Sequence, residues 1–147
     1  MSFQFRWQSV LQIRHRHRDI ERQELAAVQT EYEKCVAERN QLTNARMAVI
    51  HELRLLNDCD LLDVGKLNEW RHYAEGLAQA LISAETHVAA ARSKLEHSRK
   101  RLIAADQAAQ AMEHLAERQF DEFQQCQTRM EQRELNDFTN SRRRVAG

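Results

Sequence analysis

The residues that could carry chemistry in this chain are few, and their spacing works against each obvious use. His15 and His17 sit in the run Arg14-His15-Arg16-His17-Arg18. Side chains two apart do not share a helix face, so the two imidazoles make a poor metal pair, and a solvated basic patch is expected. Asp58, Asp60 and Glu69 fall at positions 1, 3 and 12 of a calcium loop. Position 5 is Leu62 and position 6 is Asp63, where that loop needs an oxygen ligand and a glycine, so the match fails. Cys35, Cys59 and Cys126 are odd in number and widely spaced. No disulfide framework follows, and the reducing cytosol is the expected compartment. Cys35 and Cys126 read as small core residues. No phosphate loop, nucleophile elbow or acid–base constellation is present. Neither enzyme activity nor a cofactor, metal or small-molecule ligand is expected.

Attention therefore shifts to surfaces and to the elements that would hold them. The 147 residues fit one domain, 42% apolar and 30% charged, with a formal net charge of zero. Neutral charge argues against a nucleic-acid binder. Arginine supplies 18 of the 22 basic residues, which favours forked pairing over point contacts. The tail Arg142-Arg143-Arg144 suits a helix C-terminus. No stretch is apolar enough to span a bilayer, and Met1 to Trp7 lacks the apolar run of a signal peptide.

Proline is absent, and the only glycines are Gly65, Gly76 and Gly147. Ser9 followed by Gln12 matches a capping box and announces a first helix. Its stripe reads Val10, Ile13, His17, Ile20, then slips through Glu24 and Leu25 to Val28 in a four-residue stutter. A regular heptad follows: Val28, Tyr32, Cys35, Arg39, Leu42, Arg46, Val49, Leu53, Leu56. Arg39 and Arg46 are poor seam residues and weaken this part. Asn57, Asp58, Asp60 and Asp63 form turns, and Gly65 tolerates positive φ. Leu61, Leu62 and Val64 are expected to cap the seam.

The second stripe is longer. It runs Leu67, Trp70, Ala74, Leu77, Leu81, Ala84, Val88, Ala91, Leu95, Ser98, Leu102, Ala105, Ala109, Met112, Ala116, Gln119, Phe123, Cys126 and Met130 in one register. Its alanines let two helix axes approach closely. Gly76 lies off it and costs about 1 kcal/mol against alanine. The pattern predicts an all-α fold, a long two-helix antiparallel coiled-coil hairpin. Helix 1 covers about 10–57, the turn about 58–65 and helix 2 about 66–142. At 1.5 Å per residue, helix 1 spans roughly 70 Å and helix 2 roughly 115 Å. Helix 2 should overhang from near Leu115, leaving Phe120, Phe123, Met130, Leu135 and Phe138 without a partner in the hairpin. Two alternatives are that residues 1–9 fold over part of that end, or that a third helix folds back.

Three segments carry a family resemblance. Phe3-Gln4-Phe5-Arg6-Trp7-Gln8-Ser9-Val10-Leu11-Gln12-Ile13-Arg14 resembles the opening signature of the FliJ family of flagellar type III export proteins, with Trp7 in place of the usual leucine. Trp70-Arg71-His72-Tyr73, with Leu77 and Ala80, resembles the aromatic segment that opens the family's second helix. Leu135-Asn136-Asp137-Phe138-Thr139 resembles its acidic-aromatic C-terminal signature, with Asn136 where an acid is frequent.

The resemblance implies a cytosolic protein, peripheral at the inner face of the cell membrane and a monomer when free. It implies a coiled coil similar to the rotor stalk of rotary ATPases. Its implied partners are the hexameric export ATPase, the export gate membrane protein and substrate-specific export chaperones. By the same resemblance Trp70, Tyr73, Leu77 and Ala80 would meet the gate, although Leu77 also lies on the seam. Phe120, Phe123, Met130, Asp137 and Phe138 would dock the ATPase. Rival readings are the stalk of a virulence-type secretion system, a structural tether that dimerises end to end and, third, a nucleic-acid-binding rod.

Overall fold

A computed structural model describes residues 2–59, 61 and 63–147. The readings of Asp60 as a turn former and Leu62 as a seam cap lie outside the described residues. Among the described residues there are two helices, α1 (Gln8–Asn57, 50 residues) and α2 (Val64–Ala146, 83 residues). The longer second helix and the short connection make the expected hairpin.

The helix ends are set by specific hydrogen bonds. α1 starts at Gln8, one residue before Ser9, so Ser9 is not its cap. Its first turn is closed by the backbone instead, Gln8 N–H donating to Phe5 O at 3.2 Å and Leu11 N–H to Trp7 O at 3.0 Å. α2 is capped by Asp63, whose Oδ1 accepts from Gly65 N–H at 3.1 Å and Lys66 N–H at 3.4 Å. Gly65 does not use positive φ, as no described glycine does. Its role is close approach: a Cβ there would sit 3.3 Å from the capping Asp63 Oδ1. Leu61 and Val64 are exposed and cap nothing.

The chain divides into two compact units. The first to consider is Glu21–Leu102, which contains the turn. Its core is the α2 stripe with Val49 of α1: Leu67, Leu77, Leu81, Val88, Ala91 and Leu95 are buried, as is Ser98. On the α1 side Val28, Tyr32, Cys35, Leu42, Leu53 and Leu56 are half-buried. Arg46 is turned off the seam into solvent. Arg39 stays half-buried, its guanidinium donating to Asn40 Oδ1 at 3.2 Å.

The other unit combines Met1–Ile20 with Ile103–Gly147. Here Ala105 and Ala109 of α2 are buried, Ala109 completely. Pairs across the unit run in opposite directions along the chain, Phe3 with Phe120 and Arg18 with Asp106, so the helices are antiparallel. Cys126 is exposed rather than a core residue, because no α1 residue reaches that far along α2. From Thr128 onward every residue is exposed.

Gly76 offers a direct check of helix energetics. It lies inside α2, and a Cβ added to it would meet nothing within 4 Å. Gly76→Ala is expected to stabilise the protein by about 0.5–1 kcal/mol through helix propensity, read as a rise in thermal melting temperature.

Candidate partner-binding surfaces

The α1 register departs from the apolar reading of residues 10–27. Ile13 is 62% exposed and Ile20 52% exposed, and His17 also faces solvent. Val10 is half-buried as expected, and the other positions shielded from solvent are Leu11, His15, Arg18, Glu21 and Leu25. Counting back from Val28 at alternating intervals of three and four gives Leu25, Glu21, Arg18, Arg14 and Leu11. The heptad phase of the rest of α1 therefore continues with no stutter, and only at its first turns does His15 replace Arg14 on the inner face.

Charge pairing makes this polar inner face tenable. Within the unit that holds the turn, Glu21 is only 2% exposed, and its Oε1 accepts from the Arg101 guanidinium at 2.8 Å. The same guanidinium nitrogen lies 2.9 Å from Glu24 Oε2. The hydrogen bond that Arg101 donates to Glu21, then the charges of Glu21 and Glu24, hold Arg101 further towards its protonated form than usual. In the other unit His15 Nε2 and Glu113 Oε1 are 2.6 Å apart. Arg18 reaches Glu113 at 3.6 Å and Asp106 at 3.9 Å. His15 is thus not part of a solvated basic patch; it packs against α2.

The tip segment behaves as two kinds of residue. Trp70 is half-buried, and its ring meets that of Tyr73 edge-on with centroids 6.2 Å apart. The pair borders an open groove with Glu52, Leu56, Lys66 and Glu69. Tyr73 is exposed and Ala80 half-buried, whereas Leu77 is buried in the core. The aromatic pair thus presents a surface that Leu77 does not share.

The α2 end is also divided. Phe3 lies against both Phe120 and Phe123, at centroid distances of 5.3 and 5.5 Å. Those two rings therefore do have a partner, contrary to the expectation from helix lengths alone. Phe3 and Phe5 are half-buried while Gln4 and Arg6 are exposed. In a non-helical segment, residues two apart point to one side, so the phenylalanine pair can cover α2 where α1 has ended. Beyond that cover Met130 is 58% exposed and Phe138 63%, and Leu135 and Asp137 are exposed too. Arg142 sits over the Phe138 ring at 5.6 Å. A shallow groove of about 360 Å³ is lined by Phe123, Cys126, Gln127, Met130, Glu131 and Glu134.

Among the described residues no group of three His, Cys, Asp or Glu side chains could hold a metal ion. No helix there is long and apolar enough to cross a membrane.

The family described as Flagellar FliJ protein matches residues 3–146, nearly the whole chain. The chain belongs to the FliJ family. It is a protein related to flagellar export, built as the helical hairpin that its sequence signatures imply. Searches of curated proteins and of solved structures returned no match.

Phe3→Ala tests the N-terminal cover. Each lost ring pair is worth about 0.5–1.5 kcal/mol beyond area burial. Faster amide exchange confined to residues around Phe120 and Phe123, by mass spectrometry, is the expected result. Unchanged exchange there would show that Phe3 contributes no cover.

Proposed function

We propose that this FliJ-family protein binds and stimulates the export ATPase through the unpaired end of α2, and contacts the export gate through the aromatic pair at the hairpin tip. The observation that carries the first part is the exposed α2 end. Met130 and Phe138 stand in solvent with Asp137 and the Arg142–Arg144 tail beside them. An apolar surface kept in water at the end of a family-wide signature is an interaction site rather than a source of stability. Phe120 stays 42% exposed beside Phe3 and belongs to the same surface, whereas the half-buried Phe123 joins it where Phe3 is displaced.

Support for the gate contact is the exposed Tyr73 ring, fixed against Trp70 beside an open groove. Aromatic side chains with one face packed and one free are common anchors in interfaces. Escort of unloaded export chaperones belongs to the same reading, by family membership. The site of action is the cytoplasmic face of the cell membrane, reached as a peripheral component.

Met130→Ala combined with Phe138→Ala should lower stimulation of the export ATPase at least about tenfold, a loss of about 1.4 kcal/mol of coupling. The melting temperature should hardly move, since exposed positions cost within about 0.5 kcal/mol. Unaltered stimulation by the folded double variant would remove the α2 end from ATPase docking. For the tip, Tyr73→Ala should weaken binding to the purified cytoplasmic domain of the gate protein, measured by calorimetry, with helicity unchanged. Wild-type affinity in that variant would overturn the gate assignment.

A further inference from the structure

We propose that residues 2–5 form an autoinhibitory strap: Phe3 occupies the part of the α2 stripe nearest α1, and docking on the α2 end displaces it. The inference rests on the reading that this end docks the export ATPase, and it adds a cost that docking must overcome.

The strap is held in a way that allows release. Residues 2–5 precede α1 and are not helical. The first turn of α1 is closed by Phe5 O and Trp7 O, so the helix start does not depend on residues 2–4. Among the described residues no backbone hydrogen bond ties residues 2–4 to either helix. What holds them is the Phe3 ring, edge-on to Phe120 at 5.3 Å and tilted against Phe123 at 5.5 Å, while Gln4 beside it is exposed. A chain end fixed by so few contacts opens at low cost, without disturbing the helices behind it. The swinging part is short: three residues reach at most about 10 Å from the pivot at Phe5.

Its position makes it inhibitory. On α2 Phe120, Phe123, Gln127 and Met130 follow at intervals of three, four and three, so they share one face. The groove of about 360 Å³ runs along that face, with Phe123 and Met130 among its walls. Phe123 is thus both the ring under Phe3 and a wall of the groove. A partner side chain that follows the stripe from Met130 towards α1 meets Phe3.

The cover is also partial, since Phe120 keeps 42% of its surface exposed. A partner that spans both rings shields more apolar surface than Phe3 does, so it can take the place of the strap. Two ring pairs of ordinary strength correspond to a preference for the closed strap of about fivefold to a hundredfold, part of which the ordering of residues 2–4 offsets. The apparent affinity of the partner is lowered by the fraction of chains that are open.

Stimulation of the export ATPase, titrated with the full chain and with Phe3→Ala, tests this. The variant should reach half-maximal stimulation at a concentration at least about threefold lower, with the same maximum. An unchanged half-saturating concentration overturns the proposal. A higher one overturns it too, because Phe3 would then belong to the docking surface. A second measurement follows the strap itself. In a chain carrying Cys35→Ala, Cys59→Ser and Cys126→Ser, a nitroxide is attached at Gln4→Cys, an exposed position that leaves Phe3 in place. Saturating ATPase should sharpen its spectrum as residues 2–4 come free. A nitroxide left unchanged, or held more tightly, contradicts the strap. The two readings fail in different ways. A Met130→Ala, Phe138→Ala chain that still stimulates removes docking from the α2 end, and the role of the strap with it. Loss of stimulation in that chain, with wild-type half-saturation in Phe3→Ala, keeps the docking end and rejects the strap alone.

Discussion

The buried carboxylate of Glu21 is the constraint from which the rest of α1 follows. A glutamate with 2% of its surface exposed is tolerable only with a charged donor in reach, and Arg101 provides it at 2.8 Å. Such a pair adds little net stability compared with two apolar residues, but it allows few alternative alignments. With Glu21 facing inward, Ile20, about 100° round the helix, stands 52% exposed. The inner face then passes through Arg18 and His15, where Asp106 and Glu113 answer them, and Ile13 and Ile20 are left outside.

Most of the fold was legible because α2 writes it plainly. Its stripe from Leu67 to Ala109 is apolar or small at every heptad position, and those positions are the ones buried or half-buried. The turn was legible from its Asp and Gly residues, although Gly65 serves the Asp63 cap rather than a positive φ. Apolar periodicity does not show the inner face of the first turns of α1, because the seam there is polar. The phase counted back from Val28 was the available signal, and it outranks two isoleucines that point to solvent. A helix-length argument placed the unpaired end, and the alternative in which residues 1–9 fold over part of it is met by Phe3, which lies against Phe120 and Phe123. Of the candidate contacts, Tyr73, Met130, Asp137 and Phe138 stand at the surface, whereas Leu77 is spent on the core.

The division of labour along α2 follows from the same physics. Where a partner helix is present, small residues such as Ala91, Ala105 and Ala109 are buried on the seam. Where α1 ends, the stripe continues through Phe123, against which Phe3 lies, to the exposed Met130. Membership of the FliJ family makes this a protein related to flagellar export. Tyr73, Met130 and Phe138 lie clear of the buried seam.

The central claim is the register of α1, and thiol accessibility measures it most directly. In a chain with Cys35, Cys59 and Cys126 replaced, single cysteines are placed at positions 11, 13, 20 and 21 and labelled at dilute protein. Positions 13 and 20 should react as freely as an exposed thiol, and positions 11 and 21 at least about tenfold more slowly, since they open only with local unfolding. Protection at 13 and 20 with free reaction at 11 and 21 would place the Ile13–His17–Ile20 stripe in the seam and contradict the account.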